Sequence, residues 1–356
     1  LYSCISAITL PYMVAKPDEE LLVSYFQEVT GSAPTLVTPL CPHASQRRIY
    51  RLTGGATSIV GVLNPDRGEN DAFVYFARYF RSAGLPVPEI YLYRPEAHAY
   101  LEQDLGDNTL LDNLTLARER SVETFPASVE DLYRAALEYL PQFQIKHSAS
   151  IDFSRCYPSP DFSLHALSND LESFQRELVL RLLPAWDLRR MQGDLSSLLS
   201  FLAKAVNGFF LYRDFQARNI MIVNNKPFFI DFQGGRKGPL QYDVVSLLYQ
   251  SSAKIPDATR ESLLNHYCQA AAAYTSLDQG EFLHFYQGFI ISRMLQVLGV
   301  YGREGLGAGK EYFVRNIPLA LETLRKALLS PQLPIALPGF LECTDALIEA
   351  LKRETP

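Results

Sequence analysis

The sequence predicts an α+β chain of two lobes: a small N-terminal lobe built on an antiparallel sheet with one helix, and a larger, mainly helical C-terminal lobe. Three observations carry this expectation. Residues 34–103 are dominated by short β-branched and aromatic runs between turn residues, with one helical pattern among them. From Thr109 onward, apolar residues recur mostly at helical spacing. The break Asp104-Leu105-Gly106-Asp107 separates the two regimes, so the expected lobes are residues 1–103, of which 1–16 are peripheral, and residues 104–356. A linker at the floor of a cleft between lobes suits a small-molecule site.

The elements are taken in chain order. Residues 18–30 (DEELLVSYFQEVT) put Leu21, Leu22, Tyr25, Phe26 and Val29 on one helical face, with acids in the first turn and Gly31 as the stop. Residues 37–40 read as a strand. Residues 42–48 form a polar turn, and 49–52 and 57–63 are strands joined by a turn at Thr53-Gly54-Gly55-Ala56. Residues 69–82 are an amphipathic helix with Phe73, Phe76, Ala77 and Phe80 inward. Residues 89–93 and 97–102 make a further antiparallel pair. In the second lobe, helices are expected over 129–146 (despite Pro141), 162–183, 195–206, 242–250, 258–273, 279–298 and 313–328. The Gly-rich run 302–310 (GREGLGAGK) lacks the spacing and the preceding strand of a P-loop and is expected to be a flexible surface loop between helices.

Composition narrows the function. A net charge of −6 gives no global basic field, which disfavours nucleic acid as a partner. No apolar run approaches the ~20 residues needed to span a bilayer, so no membrane span is expected. The five cysteines (Cys4, Cys41, Cys156, Cys268 and Cys343) are scattered, without CxxC or a Cys/His cluster, which points to free thiols in a reducing cytoplasm. The six histidines show no paired metal spacing and read as structural or surface residues. The opening residues lack a basic n-region and make a poor signal peptide. The first methionine is Met13, and residues 1–12 are expected to precede the natural start or to be peripheral.

Residues 211–235 (LYRDFQARNIMIVNNKPFFIDFQGG) carry the chemistry. Two short apolar runs, 220–223 and 228–230, flank the polar turn 224–227 and read as a hairpin. Asn219 enters the hairpin and Asp231 leaves it, so the two become neighbours, with Asp214 on the loop just before. Two oxygen donors beside a carboxylate base are what magnesium-dependent phosphoryl transfer needs. Only a dozen residues separate Asp231 from Asp243, too few for a peptide platform, so the acceptor is expected to be a small molecule with a hydroxyl group.

The run LYRDFQARNIMIV…FFIDFQGGRKGPLQYDVVSLL resembles the aminoglycoside phosphotransferase/choline kinase superfamily, whose fold is similar to that of protein kinases. RRIYRL, VGVLNPD, ENDAF, GLPVPEIY, EQDLGDNTL and QVLGVYGREGLGAGKEYFVRNIP resemble a bacterial subgroup. That subgroup includes kinases acting on the anomeric hydroxyl of N-acetylmuramic acid and N-acetylglucosamine in cell-wall recycling. The resemblance covers nearly the whole chain from about residue 18.

It implies ATP as donor, Asp214 as catalytic base, Asn219 and Asp231 as magnesium ligands, and Asp243 as a brace of the catalytic loop. Tyr212 stands where the family usually has a supporting His. The strand over residues 58–63 lacks the lysine that kinases use on the phosphates. Glu69 is then left without an obvious partner and reads as a helix N-terminal charge, while Arg47 or Arg48 is expected to supply the missing positive charge. Ser45 would approach the phosphates, and Gln103, Asp104 and Leu105 would meet the base. Arg213, Arg218, Arg236 and Lys237 are further candidates for phosphate contacts. Acceptor contacts are expected from Asp170, Phe174, Glu177, Arg293 and Lys310, with Trp186 as a sugar-stacking candidate. A muramic acid lactyl group wants an Arg or Lys, which makes Arg293 and Lys310 discriminating positions. A choline, aminoglycoside or other small-alcohol kinase is the alternative within the class. A catalytically impaired nucleotide-binding regulator is the alternative outside it.

Overall fold

A computed structural model describes residues 17–40, 47–120, 125–205 and 207–354. Ser45, Cys4, Cys41, His43 and residues 1–12 lie outside the described residues. Helix α1 (Pro17–Thr30) precedes a five-stranded antiparallel sheet of β1 (Leu36–Leu40), β2 (Arg48–Gly54), β3 (Thr57–Leu63), β4 (Ile90–Arg94) and β5 (Ala99–Gln103). The strand order is β1-β2-β3-β5-β4, and α2 (Arg67–Ser82) connects β3 to β4. Alternation along the strands sorts the side chains onto two faces. Leu52, Ile59, Leu63, Ala99 and Leu101 face α1, where Leu22 and Phe26 close a small core. Val62, paired with Tyr100, belongs to the opposite face, which looks into the cleft.

The remainder is mostly helical. Helices α3 (Leu110–Arg120), α4 (Ala127–Pro141), α5 (Leu164–Phe174), α6 (Leu180–Leu182) and α7 (Gln192–Leu202) precede the catalytic hairpins. Helices α8 (Gln241–Leu248), α9 (Asp257–Ala272), α10 (Gln279–Tyr301), α11 (Glu311–Leu328) and α12 (Pro338–Glu354) come after them. Pro141 ends α4 in a wider turn, Gln142–Lys146, because proline cannot donate the next backbone bond. Helix α12 was not anticipated.

Helix α2 is part of the main core and not a satellite of the sheet. Phe76 and Phe80 pack edge-on against Phe210, at 5.1 and 5.2 Å between ring centroids. Phe73 stacks on Phe232 at 5.0 Å.

Two short hairpins set out the site. Strands β6 (Phe209–Leu211) and β9 (Arg236–Gly238) pair antiparallel, which brings the start of the catalytic segment beside its end. Strands β7 (Ile220–Val223) and β8 (Lys226–Phe229) pair with Val223 opposite Lys226. The turn is therefore only Asn224-Asn225, with φ of 50° and 59°, and not the four residues expected. A two-residue hairpin of the type I′ kind needs positive φ at both central positions, and asparagine accepts it. Pro227 fits β8 because each strand of this pair is an edge.

The expectation for residues 302–310 is corrected. Gly302–Gly307 forms a wide helical turn that continues α10, and Gly302 and Gly305 are buried. A Cβ on Gly302 would lie 2.3 Å from the Glu177 carbonyl oxygen. These glycines permit close packing of backbone on backbone, and the sequence alone does not separate that from loop mobility.

Candidate active site

Asp243, in the first turn of α8, is fully buried and accepts three N–H groups. They are the backbone N–H groups of Tyr212 and Arg213 and the Gln144 side-chain amide, each at 2.8 Å. Burial pushes its carboxyl up to about 7 even though these donors pull the other way. The bonds hold Arg213 at φ 76°, a left-handed conformation that costs a non-glycine residue about 1 kcal/mol or more. Gln144, which also accepts from the Tyr267 hydroxyl at 2.7 Å, was not foreseen. A glutamine on the inward face of an apolar helical run was its only signal.

Tyr212 occupies the His position of the family pattern. Its hydroxyl donates to the Ile230 carbonyl at 2.6 Å, and its ring meets Phe143, Phe215 and Phe232 edge-on. The loop before Asp214 is thereby tied to the residue before Asp231.

Asp214 lies at the centre. Burial raises its carboxyl, but Arg293, Arg213 and Arg218 together hold it below the usual carboxylate range. Arg293 Nη2 stands 3.5 Å from Asp214 Oδ1, and Nη1 donates to the Tyr242 hydroxyl at 3.2 Å. Only 2% exposed, Arg293 supports Asp214 from behind. A lactyl carboxylate therefore cannot reach it freely, against the expectation that it discriminates acceptors.

Asn219 Nδ2 donates to the Asp214 carbonyl at 2.9 Å and to Asp231 Oδ2 at 3.1 Å. Gln233 Nε2 donates to Asp231 Oδ1 at 2.7 Å, while Gln233 Oε1 is buried without a partner among the described residues. The Asn219 amide oxygen and the Asp231 carboxylate are hard donors one hydrogen bond apart. That set fits magnesium, which takes few protein ligands and keeps waters and phosphate oxygens. Among the described residues no group of three His, Cys, Asp or Glu side chains is placed to hold a metal.

Glu69 has partners, which corrects its reading as a bare helix charge. Arg47 Nη2 donates to Glu69 Oε1 at 2.6 Å, and Asn64 Nδ2 donates to Oε2 at 2.7 Å. Arg47 Nη1 lies 3.5 Å from Asp231 Oδ1. The cation reaches the cleft from just before β2 and not from β3. Arg48 points the other way, to Asp18 on α1.

In the linker, the Asp104 carboxylate is engaged by Arg51 at 2.7 and 3.0 Å and by Ser58 at 2.5 Å. Its side chain is thus a brace of the linker. The Gln103 N–H donates to the Glu89 carbonyl at 2.8 Å, whereas no hydrogen bond among the described residues engages the Leu105 N–H. The hairpin lies against this linker: Ile222 N–H donates to the Asn108 carbonyl at 2.8 Å.

The acceptor candidates divide. Asp170 on α5 has a buried Oδ2 without a partner among the described residues. Burial raises its carboxyl, and Arg213, Arg293 and Asp214 are the charges closest to it in effect. Glu177 is instead held by Arg176 and Arg181, at 2.8 and 2.9 Å, and Lys310 donates to Glu304 at 2.7 Å. Phe174 is core, and Trp186 is covered by Arg190 at 5.5 Å. Arg236 turns inward to the Gly234 carbonyl, Ser159 and the Tyr157 carbonyl, and Lys237 lies over Phe153.

A cleft with this constellation defines a protein-kinase-like phosphotransferase fold, and residues 37–279 match the model of the phosphotransferase enzyme family. The chain belongs to that family and is a small-molecule kinase of it. Among curated relatives, the N-acetylmuramate/N-acetylglucosamine kinase of Pseudomonas aeruginosa is 28% identical over 310 residues, covering 83% of this chain and 84% of the relative. The enzyme of the same name from Pseudomonas putida is 28% identical over 311 residues, covering 85% and 86%. Among solved structures, choline kinase LicA from Streptococcus pneumoniae superposes with a TM-score of 0.59 at 13% identity, covering 86% of this chain and 98% of that one. Amicoumacin kinase hAmiN, in complex with AMP-PNP, Ca2+ and Ami, reaches 0.60 at 13% identity, covering 90% and 96%. These structures are alike in fold. No helix among the described residues is long and apolar enough to cross a membrane.

Proposed function

We propose that this chain transfers the γ-phosphoryl group of ATP to the anomeric hydroxyl of a small cell-wall amino sugar. The carrying observation is Asp214, held ionised beside the Asn219–Asp231 pair by arginines and by the loop that Asp243 braces. Magnesium, held by Asn219 and Asp231, would neutralise charge on the β- and γ-phosphates. Arg47 adds a fixed positive charge from the upper lobe, positioned by Glu69. Asp214 orients the acceptor hydroxyl and takes its proton as the new P–O bond forms and the bond from the γ-phosphorus to the bridging oxygen breaks, releasing ADP. Held below the usual range, its carboxylate is a weak base. That suits a hemiacetal hydroxyl, which is more acidic than a simple alcohol. Asp170 offers its unpartnered oxygen to a second acceptor hydroxyl or amide. Positioning and charge stabilisation supply most of the rate.

The curated relatives support an amino sugar as acceptor. The three arginines acting on Asp214 oppose a quaternary ammonium or polycationic acceptor, so choline and aminoglycosides rank second. Among the described residues the cysteines Cys156, Cys268 and Cys343 are free thiols, which, with ATP as donor, suits a cytoplasmic enzyme. The test is Mg·ATP turnover with N-acetylmuramic acid, N-acetylglucosamine, choline and aminoglycosides. Turnover with the amino sugars and acid-labile product phosphate are expected. Turnover only with choline or aminoglycosides would reverse the ranking, and failure to bind nucleotide would end the kinase reading.

A further inference from the structure

Glu102 is a half-buried acid, with one carboxyl oxygen buried, that the proposed chemistry does not use. It lies on β5 opposite Val60, on the same face as Tyr100, and so looks into the cleft. Its Oε2 is buried and has no hydrogen-bond partner among the described residues. Arg47, Asp104 and Asp231 are the charges that act on it. A buried acceptor without a donor is costly, and the cost is relieved if a ligand brings the donor.

Three residues further along the chain, the Leu105 N–H is likewise unengaged among the described residues. One free acceptor and one free donor on the same short segment complement the edge of a 6-aminopurine. Its exocyclic amino group donates, and the adjacent ring nitrogen accepts. Resting on the proposed use of a purine nucleotide, we propose that Glu102 reads the base by accepting a hydrogen bond from the 6-amino group of adenine, with Leu105 N–H pairing the ring nitrogen. Glu102 is thus a specificity residue for the phosphoryl donor. It acts on binding of the base and takes no part in the transfer step.

The test compares binding of Mg·ATP with that of the triphosphate of purine riboside, which lacks only the 6-amino group, by calorimetric titration. The wild type should bind the deamino nucleotide about tenfold more weakly, as befits a lost hydrogen bond to a carboxyl. Glu102→Leu should bind both nucleotides within about twofold of each other, because the partner is gone from both complexes. Glu102→Gln, which keeps an acceptor oxygen, should retain most of the preference. Each ratio is taken within one protein, so a general loss of affinity cancels. Equal binding of the two nucleotides by the wild type, or an undiminished preference in Glu102→Leu, overturns the assignment and leaves the kinase reading standing. A wild type that binds neither nucleotide overturns both.

Discussion

Arg47 and Glu69 form a 2.6 Å ion pair at the mouth of the cleft, with the same guanidinium 3.5 Å from Asp231. The pair joins the residue before β2 to the first turn of α2 and so carries a positive charge to Asp231, beside the proposed phosphate site. Arg47→Met should weaken Mg·ATP binding about tenfold or more, since a hydrogen bond between charged groups is lost. Glu69→Gln keeps the arginine but loosens its aim, and should cost less. Nucleotide titrations of both variants check this; unchanged affinity in Arg47→Met would remove Arg47 from the site.

Asp214→Asn keeps the shape of the loop and removes the proposed proton acceptor. Turnover should fall on the order of 10²–10⁴-fold, the range for a general base, while Mg·ATP affinity stays within a few-fold. Stopped assays of product phosphate alongside nucleotide titration separate the two. Normal turnover in this variant would mean that Asp214 is not the base.

Asp170→Ala should raise KM for the acceptor and leave KM for ATP unchanged, if its oxygen, unpartnered among the described residues, serves the acceptor as proposed. A rise in the ATP constant with no change for the acceptor would place Asp170 elsewhere in the reaction.

Glu102 also predicts a pH effect on stability. Burial raises its carboxyl to about 8 in the folded protein, against an ordinary value of 4.5. Below about pH 4.5 both states keep the proton and no effect exists. As pH rises toward 8, only the unfolded state releases it, so stability falls across that window. Glu102→Gln lacks this dependence. Its melting temperature relative to wild type should therefore climb from pH 5 to pH 8, in calorimetric scans without nucleotide. A constant gap would count against the buried acid.

Gly302→Ala tests the wide turn after α10. The added Cβ would meet the Glu177 carbonyl oxygen at 2.3 Å, a contact that backbone must yield to relieve. A loss of about 1–3 kcal/mol is expected, seen as a lower urea midpoint. A flexible surface loop at this place would show none.

Local features were readable from the sequence, and features made by distant pairing were not. The β7–β8 hairpin is legible in adjacent apolar runs and two turn asparagines, and α2 in Phe73, Phe76, Ala77 and Phe80 on one face. The linker break at Asp104 likewise declares itself by composition. Arg47 and Glu69, however, are 22 residues apart and meet only because β2 and α2 converge on the cleft. Glycines 302 and 305 gave a loop-like signal, since close packing and mobility use the same residue. Glu177 looked like a neighbour of Asp170 on one helical face. Glu177 instead lies inside the wide turn Gln175–Val179, which breaks the regular helical spacing from Asp170, and Arg176 and Arg181 take up its carboxylate. Gln233 has no pattern of its own, and Gln144 has only its place on the inward face of an apolar run, because single buried amides have no periodicity.

The packing of Phe73, Phe76 and Phe80 onto Phe232 and Phe210 bears on how the chain can be divided. Although the linker resembles a natural cutting point, α2 lies before it in the chain and buries its aromatic side against the larger lobe beyond it. Expressed apart, the first hundred residues would carry a bare row of phenylalanine rings and the rest a matching hollow, so each piece would aggregate. Mixed during refolding, the two pieces should instead find each other and restore a working enzyme from a split gene.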